Sequence, residues 1–260
     1  MNDRNPDEVR DFYSQPRFVD EAEFSRDPVV EHEQKCRYDA LVSLLDDYAL
    51  ALDAGCGNGR YFNMLIEHSG QIVGVDFSKD MLRMARSKAD NLPVGQASVL
   101  FGDLTRLPFR DGSFDLIASI EVLEHVPNWE QSILEFHRLL KPGGSMILSL
   151  PNKFSMYGLT RYASRLFIKS ENPCDQWKTY FELRNVSTRA GFSINGVRGV
   201  CYLPGDLSYY QPFKWVIIRC LCISRFLQRI LSTRWPFHSL GYSIVIKGEK
   251  VVEASKDKCQ

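Results

Sequence analysis

The chain has 260 residues, 44% of them hydrophobic and 25% charged, so it is long enough to bury the core of one large domain with added segments. Lys and Arg number 32 and Asp and Glu also number 32, and this net charge of zero gives no general argument for a nucleic-acid partner. The seven cysteines are scattered and odd in number, which argues against a disulfide framework and favours a reducing compartment. Neither a secretory leader nor an apolar run of about 20 residues occurs, so we expect a cytoplasmic protein.

Charge is unevenly distributed along the chain. Residues 1–50 hold 13 acidic and 6 basic residues, whereas residues 153–239 hold 4 acidic and 13 basic residues. Residues 1–47 are predicted to form an N-terminal helical arm or lid that leads into the first strand. Lys35 and Arg37 lie in this arm, and we interpret them as surface residues in preference to ligands of a cofactor carboxylate. The basic segment is expected to face the substrate.

The most informative segment follows a predicted strand at 48–52 and precedes a predicted helix. It carries glycine at alternate positions, Gly55, Gly57 and Gly59, and the first of them comes two residues after Asp53. Glycine permits positive φ and a close approach of the backbone to a ligand. The N-terminus of the following helix presents unpaired N–H groups and a positive dipole end. This order of elements predicts a site for a polar, partly anionic cofactor at the carboxyl edge of a sheet.

The spacing of the glycines distinguishes between cofactor classes. The pattern is G-x-G-x-G, whereas the dinucleotide-binding turn is G-x-G-x-x-G, and no G-x-x-x-x-G-K-[ST] phosphate loop is present. A second predicted strand at 71–75 is followed by Asp76, 21 residues beyond Gly55, close to the spacing at which a carboxylate binds ribose hydroxyls. Capping of a helix that begins near Ser78 is the alternative role for Asp76. A nucleotide-dependent oxidoreductase is therefore the less favoured class of enzyme.

Strands and helices continue to alternate along the rest of the chain. Further strands are predicted at 99–103, 113–120, 145–150, 192–197 and 242–246, with helices at 129–140 and 177–190. This order predicts an α/β fold, a doubly wound and mostly parallel seven-stranded sheet of the Rossmann type with a helical N-terminal arm and cap inserts. We assign 48–199 to a cofactor-binding core with an insert at about 153–176, 200–239 to a basic apolar cap, 240–247 to the final core strand and 248–260 to a flexible tail.

Together these segments resemble the class I S-adenosylmethionine-dependent methyltransferases, and among them the small-molecule type similar to the ubiquinone-pathway O-methyltransferases. The matching residues are Asp53–Gly59, Val75–Ser78, Gly102–Leu104, Phe114–Ile117 and Leu139–Gly144. The resemblance covers residues 36–150 well, and 177–199 and 240–247 more loosely. It implies S-adenosylmethionine as the methyl donor.

The resemblance also implies roles for residues at the strand ends. Gly55 and Gly57 are expected to contact the methionine part of the cofactor, and Asp76 its ribose hydroxyls. Asp103 is expected to accept a hydrogen bond from the adenine amino group, with Phe77 beside the ring, although a place in the core is equally open for Phe77. The full predicted cofactor-binding set is Asp53, Gly55, Cys56, Gly57, Asp76, Phe77, Asp103, Leu104 and Ser119.

The segment after the fourth predicted strand carries Glu121, Glu124 and His125. This group resembles that of the ubiquinone-pathway enzymes, and in small-RNA 2′-O-methyltransferases it helps to hold a divalent metal. We interpret His125 and Glu121 as catalytic residues, with His125 as a candidate general base for a hydroxyl acceptor; a packed position or the start of a helix is the alternative for His125. The predicted site includes no metal, because residues 153–200 lack the additional histidine of the RNA enzymes, but metal dependence through these three side chains stays open.

Two aromatic-rich segments, 153–176 and 200–239, bear on the acceptor. The aromatic residues and arginines of these segments suit a small hydrophobic or aromatic acceptor that has a lipid-like or anionic part. Residues 214–235 combine arginines at near-helical spacing with bulky apolar residues, and we interpret them as a cap on the pocket, with peripheral membrane contact or a dimer face as alternatives.

The sequence therefore predicts an S-adenosylmethionine-dependent methyltransferase for a small acceptor, with O-methylation slightly favoured. A non-catalytic cofactor-binding regulatory subunit and an RNA methyltransferase are the alternatives. The sequence does not determine the oligomeric state.

Overall fold

The structure is a computed structural model that describes residues 28–155, 158–159, 176–202, 223 and 226–252. A seven-stranded sheet runs through these residues in the order β3-β2-β1-β4-β5-β7-β6. The strands are β1 (Tyr48–Ala54), β2 (Ser69–Asp76), β3 (Ala97–Phe101), β4 (Phe114–Ile120), β5 (Leu140–Pro151), β6 (Phe192–Val200) and β7 (Ser243–Lys250). The helices are α1 (Pro28–Val42), α2 (Phe62–His68), α3 (Lys79–Asp90), α4 (Trp129–Leu139) and α5 (Tyr180–Arg189), with short 3₁₀ helices at Leu123–His125 and Phe237–Leu240.

The first five strands are parallel, and β7 lies antiparallel between β5 and β6. Helices cover both faces of the sheet, so the central strands are buried on both sides and read as apolar runs in the sequence. On one face, Ile133 and Phe136 of α4 belong to the core cluster that includes Leu52. On the other face, Leu41 of α1 and Leu65 of α2 belong to a second cluster. The predicted doubly wound α/β fold is confirmed.

Several boundaries differ from the predicted ones. Helix α5 begins at Tyr180 and not at 177, because Thr179 and Glu182 form a reciprocal capping box. Strand β5 begins at Leu140 and not at 145, because the residues between the predicted helix and the predicted strand form an irregularity in the pairing with β4, between the pair Phe114 and Leu140 and the pair Leu116 and Ser145.

Two strand ends also differ. Strand β3 ends at Phe101, so Asp103 lies beyond the strand in a bridge with Arg106. Strand β7 continues to Lys250, three residues past the predicted end of the final strand, because those residues still pair with β5 and β6.

Much of the predicted arm, insert, cap and tail lies outside the described residues, including 1–27, 160–175, 203–222 and 253–260. In the described part of the cap, Gln228 and Ser232 hydrogen-bond to the end of β6, and the 3₁₀ helix Phe237–Leu240 packs beside the same strand. In the described parts of the chain, no helix has both the length and the apolar character that crossing a bilayer requires.

Candidate active site

A cavity of about 410 Å³ opens at the carboxyl ends of β1 to β4. This is the edge at which ligands bind in open parallel sheets. Eight of the eleven residues that the sequence predicted for the site line the cavity. They are Gly55, Gly57, Asp76, Phe77, Asp103, Leu104, Glu121 and His125. The remaining wall consists of Ser78, Met81, Phe101, Gly102, Thr105, Val122, Val126, Pro127 and Asn128.

The turn after β1 has the conformation that its glycines predict. Gly55 has φ +85° and Gly57 has φ +53°, both in the left-handed region. The N–H groups of Gly55 and Cys56 donate to the carbonyl of Val75 at 2.8 and 2.9 Å, which ties the turn to the end of β2. A Cβ atom at Gly55 would lie 2.4 Å from Cγ1 of Val122, whereas one at Gly57 would have nothing within 4 Å. The turn is therefore closely packed at Gly55 and open at Gly57.

Asp76 joins this turn to the start of α3. Its Oδ2 accepts a hydrogen bond from the Gly57 N–H at 2.9 Å, and its Oδ1 accepts from the Ser78 N–H at 2.8 Å. Ser78 is the N-cap of α3, and its Oγ accepts from the Met81 N–H. Asp76 therefore braces the helix start while Ser78 caps it. Burial raises the pKa of Asp76, and the backbone hydrogen bonds oppose that rise.

The β2–β3 side of the cavity is mainly apolar. Phe77 is half-buried and faces the cavity together with Met81 and Phe101. Asp103 is exposed there, and its Oδ1 accepts hydrogen bonds at 2.8 Å from both the N–H and the hydroxyl of Thr105. The result is an apolar slot with a carboxylate at its rim.

Glu121 lies on the opposite side of the cavity in an unusual backbone conformation. Its φ is +56°, a region that non-glycine residues seldom adopt. Its Oε1 accepts a hydrogen bond from the Ser149 hydroxyl at 2.6 Å and lies 3.4 Å from Nε of Arg37. These contacts hold the carboxylate in one place.

Arg37 is buried, and our interpretation of it as a surface residue is wrong. Its Nη2 donates to Glu33 at 2.7 Å and to the Ser243 hydroxyl at 3.4 Å, so it connects α1, β7 and Glu121. Burial by itself would lower the pKa of Arg37, but Glu121 and Glu33 raise it well above its usual range. Lys35 is exposed, as predicted.

His125 ends the short 3₁₀ helix after β4, and this helix carries its ring to the cavity wall. Nε2 of His125 lies 3.5 Å from Oε1 of the buried Glu124. Glu121 and Glu124 are both close to His125 in the sequence. Among the described residues, however, no group of three or more His, Cys, Asp or Glu side chains has metal-binding geometry.

Three predicted cofactor-binding residues lie behind the cavity wall. Asp53 is 1% exposed, and its Oδ2 has no hydrogen-bond partner. Burial, and secondarily the charge of Asp76, raise the pKa of Asp53 to about 7. Cys56 is also buried, and burial raises the pKa of its thiol. The Ser119 hydroxyl is fully buried without a hydrogen-bond partner.

The sequence did not indicate Met81, Phe101 or Asn128 as parts of the wall. For Met81 the sequence does contain a usable pattern, because Met81 lies in the first turn of the helix that follows Asp76, where a side chain faces the same sheet edge. Phe101 and Asn128 carry no motif, and only the fold brings them to the cavity.

The comparisons with known proteins agree with this geometry. Residues 52–148 match the family model described as a methyltransferase domain. A protein from Encephalitozoon cuniculi, named as a candidate methyltransferase, is 31% identical over 173 residues, which are 64% of this chain and 74% of that protein. A demethylmenaquinone methyltransferase from Oceanobacillus iheyensis is 35% identical over 100 residues, which are 37% of this chain and 42% of that enzyme.

A solved structure extends the likeness of the fold to nearly the whole chain. A SAM-dependent methyltransferase from Thermotoga maritima superimposes with a TM-score of 0.67 at 22% identity, covering 93% of this chain and 99% of that one. The chain spans about half or less of the length of the demethylmenaquinone methyltransferases that it matches. The family model, the E. cuniculi relative and the fold all point the same way, and the chain belongs to the class I S-adenosylmethionine-dependent methyltransferases.

Proposed function

We propose that this protein binds S-adenosylmethionine in the cavity at the carboxyl edge and transfers its methyl group to a small hydrophobic or aromatic acceptor, with oxygen favoured as the methylated atom. The observation that carries the proposal is the composition of this one cavity. The glycine turn, Asp76 and Asp103 line one part of it, and Glu121 and His125 line another. A cofactor and an acceptor would therefore meet within a single cavity.

The residues present fit this cofactor. The open space at Gly57 allows the methionine part to lie directly against the backbone. Asp76 would accept from the ribose hydroxyls, and the slot formed by Phe77, Met81 and Phe101 would hold the adenine. Asp103 would accept from the adenine amino group through Oδ2, since both bonds to Thr105 use Oδ1.

When bound, the cofactor supplies a methyl group that its sulfonium charge already activates. The remaining tasks for the protein are to align the acceptor near the methyl group and to exclude water. A general base is needed only where the acceptor atom is protonated at neutral pH, as in a hydroxyl. We assign this role to His125, which lines the cavity, and Glu124, 3.5 Å from its Nε2, would stabilise the imidazolium formed. Glu121, held by Ser149 and Arg37, would orient the acceptor.

The class of acceptor is supported by the wall and by the relatives. Val122, Val126 and Pro127 make the acceptor side largely apolar. Several relatives are named demethylmenaquinone methyltransferases, so a quinone-like or other lipid-like acceptor agrees with both observations. The preference for oxygen comes from His125, the candidate base for a hydroxyl acceptor.

Calorimetric titration of S-adenosylhomocysteine tests the cofactor half of the proposal. We expect Asp76→Ala to weaken binding by about 1–3 kcal/mol, the usual cost of unsatisfied hydrogen-bonding groups. Asp90→Ala, at the exposed end of α3, is the matched control and should bind as the wild type does. Wild-type affinity in Asp76→Ala would contradict this assignment.

Transfer of a labelled methyl group to a panel of quinols, phenols and aromatic acids tests the acceptor half. We expect turnover on at least one hydroxylated acceptor, and we expect His125→Gln to lower kcat by about 10²–10⁴-fold while cofactor affinity is kept. Tight binding of S-adenosylhomocysteine with no turnover across the panel would favour the non-catalytic regulatory subunit instead.

A further inference from the structure

A row of exposed apolar side chains lies within residues 223–240. Ile223 and Phe226 are three residues apart in helical conformation, and Trp235, Phe237 and Leu240 follow. All five are exposed, with Trp235 at 73% and Phe226 at 63% of their full accessible surface. We refer to these five residues as the apolar surface. Large apolar side chains exposed together on a globular protein usually mark a site of interaction.

Hydrogen bonds attach the apolar surface to the sheet at the end of β6. The side chain of Gln228 accepts from the Cys201 N–H at 2.8 Å and donates to the Gly199 carbonyl at 2.8 Å. The Gly199 N–H in turn donates to the carbonyl of Ser232 at 2.8 Å. Residues 226–232 are therefore fixed against the end of β6 by hydrogen bonds to Gly199 and Cys201.

A second attachment lies at the end of β5. The fully buried Asn152 donates through Nδ2 to the carbonyls of Ser239 and Gly241, at 2.8 and 2.9 Å. These bonds fix the 3₁₀ helix at Phe237–Leu240. The apolar surface is thus bound to two neighbouring parts of the sheet and is presented on a rigid base.

The sheet topology places the apolar surface on the same edge as the cavity. Strands β5 and β6 are both antiparallel to β7, so they run parallel to each other. The carboxyl ends of β5 and β6 therefore lie at the edge where β1 to β4 end and where the cavity opens.

The stretch of sequence that carries the apolar surface has charged residues of one sign only. Between Asp206 and Glu249 the sequence contains no acidic residue. Arg229 and Arg234 lie within the row and are exposed. The other basic residues in this stretch are Lys214, Arg219 and Arg225, together with Lys247 of β7, which is buried and forms an ion pair with Asp46.

We infer that the apolar surface docks on an anionic lipid bilayer, with Trp235 and Phe226 inserted among the headgroups and Arg229 and Arg234 in contact with lipid phosphates. Tryptophan and phenylalanine beside arginine, without acidic residues, match the interface of an anionic membrane in both polarity and charge. A second copy of the chain fits less well, because a symmetric contact would bring like-charged arginines together. Docking in this orientation turns the carboxyl edge of the sheet, and with it the cavity, toward the bilayer.

Co-sedimentation of the full chain with vesicles tests this inference without a methyl acceptor. We expect binding to vesicles of phosphatidylcholine with phosphatidylglycerol, much weaker binding to phosphatidylcholine alone, and weakening as salt is raised, because such charge attraction is screened. The double variants Phe226→Ser/Trp235→Ser and Arg229→Glu/Arg234→Glu should each bind the anionic vesicles at least about tenfold more weakly.

Matched controls come from the opposite end of the sheet, beside β2 and β3. Val94 is a fully exposed apolar residue in the loop before β3, and Arg86 is an exposed arginine of α3. Val94→Ser and Arg86→Glu should leave vesicle binding unchanged, and all four variants should keep wild-type thermal unfolding and affinity for S-adenosylhomocysteine.

Three outcomes would overturn the inference. The first is the absence of binding to anionic vesicles, and the second is equal loss of binding in the control variants. The third is a wild-type dimer in sedimentation that Phe226→Ser/Trp235→Ser makes monomeric without any vesicle binding, which would assign the apolar surface to a second copy of the chain. Because the readout is lipid binding, loss of methyl transfer does not affect it.

Discussion

Replacement of Asp53 by Asn should change how the stability of this protein depends on pH. Asp53 is buried behind the glycine turn, Oδ2 has no partner, and the pKa of Asp53 rises from its ordinary 3.8 to about 7. Between these two values the folded protein holds a proton that the unfolded chain has lost. Stability therefore falls as the pH rises from about 4 to 7, and the loss is complete above 7. At about 1.4 kcal/mol per pKa unit, ionisation of Asp53 costs the fold about 4 kcal/mol.

Urea unfolding at pH 5 and pH 8 measures this cost. About 2–3 kcal/mol of the loss falls between these two pH values, so Asp53→Asn should gain that much stability relative to the wild type on going from pH 5 to pH 8. Asp90→Asn, at the exposed end of α3, controls for the general effect of removing an acid and should show no such gain. A difference between Asp53→Asn and wild type that stays the same at both pH values would refute this reasoning.

Two further substitutions test how the cavity wall is built. Gly55→Ala should destabilise the protein by more than its control, Gly95→Ala, because both glycines have φ near +85° but only at Gly55 would a Cβ meet a neighbour, Cγ1 of Val122 at 2.4 Å. In urea unfolding we expect a loss of about 1 kcal/mol for Gly95→Ala and of about 2–4 kcal/mol for Gly55→Ala. Equal losses in the two variants would count against the contact with Val122. Arg37→Met should lower the free energy of unfolding by about 3–5 kcal/mol, because it leaves the carboxylate of Glu121 without its buried charge partner. A loss below about 1 kcal/mol at pH 7 would show that the pair is not needed to hold the site.

The order of elements was predictable because each central strand is buried on both faces and is followed by a recognisable helix. The end of α5 has a sequence signal of the same kind, because Gly191, two residues beyond the last helical residue, adopts φ +97°. The capping box of Thr179 and Glu182 was also present in the sequence as T-x-x-E, and reading it would have placed the start of α5 correctly. By contrast, the pairing of the turn before residue 145 with β4 depends on register between distant segments, for which no local pattern exists.

The site was predictable where function imposes a local pattern and not where the fold alone assembles it. The glycine turn, Asp76 and Asp103 follow strands at expected spacings and reach the cavity. Arg37 was misjudged because an arginine is usually exposed, and only its partners in distant parts of the chain reveal that it is buried. Those partners are Ser243 and Glu121, which are 206 and 84 positions away in the numbering of this chain.

The place of β7 in the sheet has a consequence for biosynthesis. This strand is the last of the seven to leave the ribosome, yet it lies between β5 and β6. A nascent chain that has emerged only as far as residue 242 exposes the hydrogen-bonding edge of β5 along most of its length, and β6 has no partner strand at all. Unpaired edges of this kind recruit other chains. Translation pauses or premature stops shortly before residue 243 should therefore produce aggregates instead of a partly active protein, and chaperone demand should peak just before synthesis of this segment.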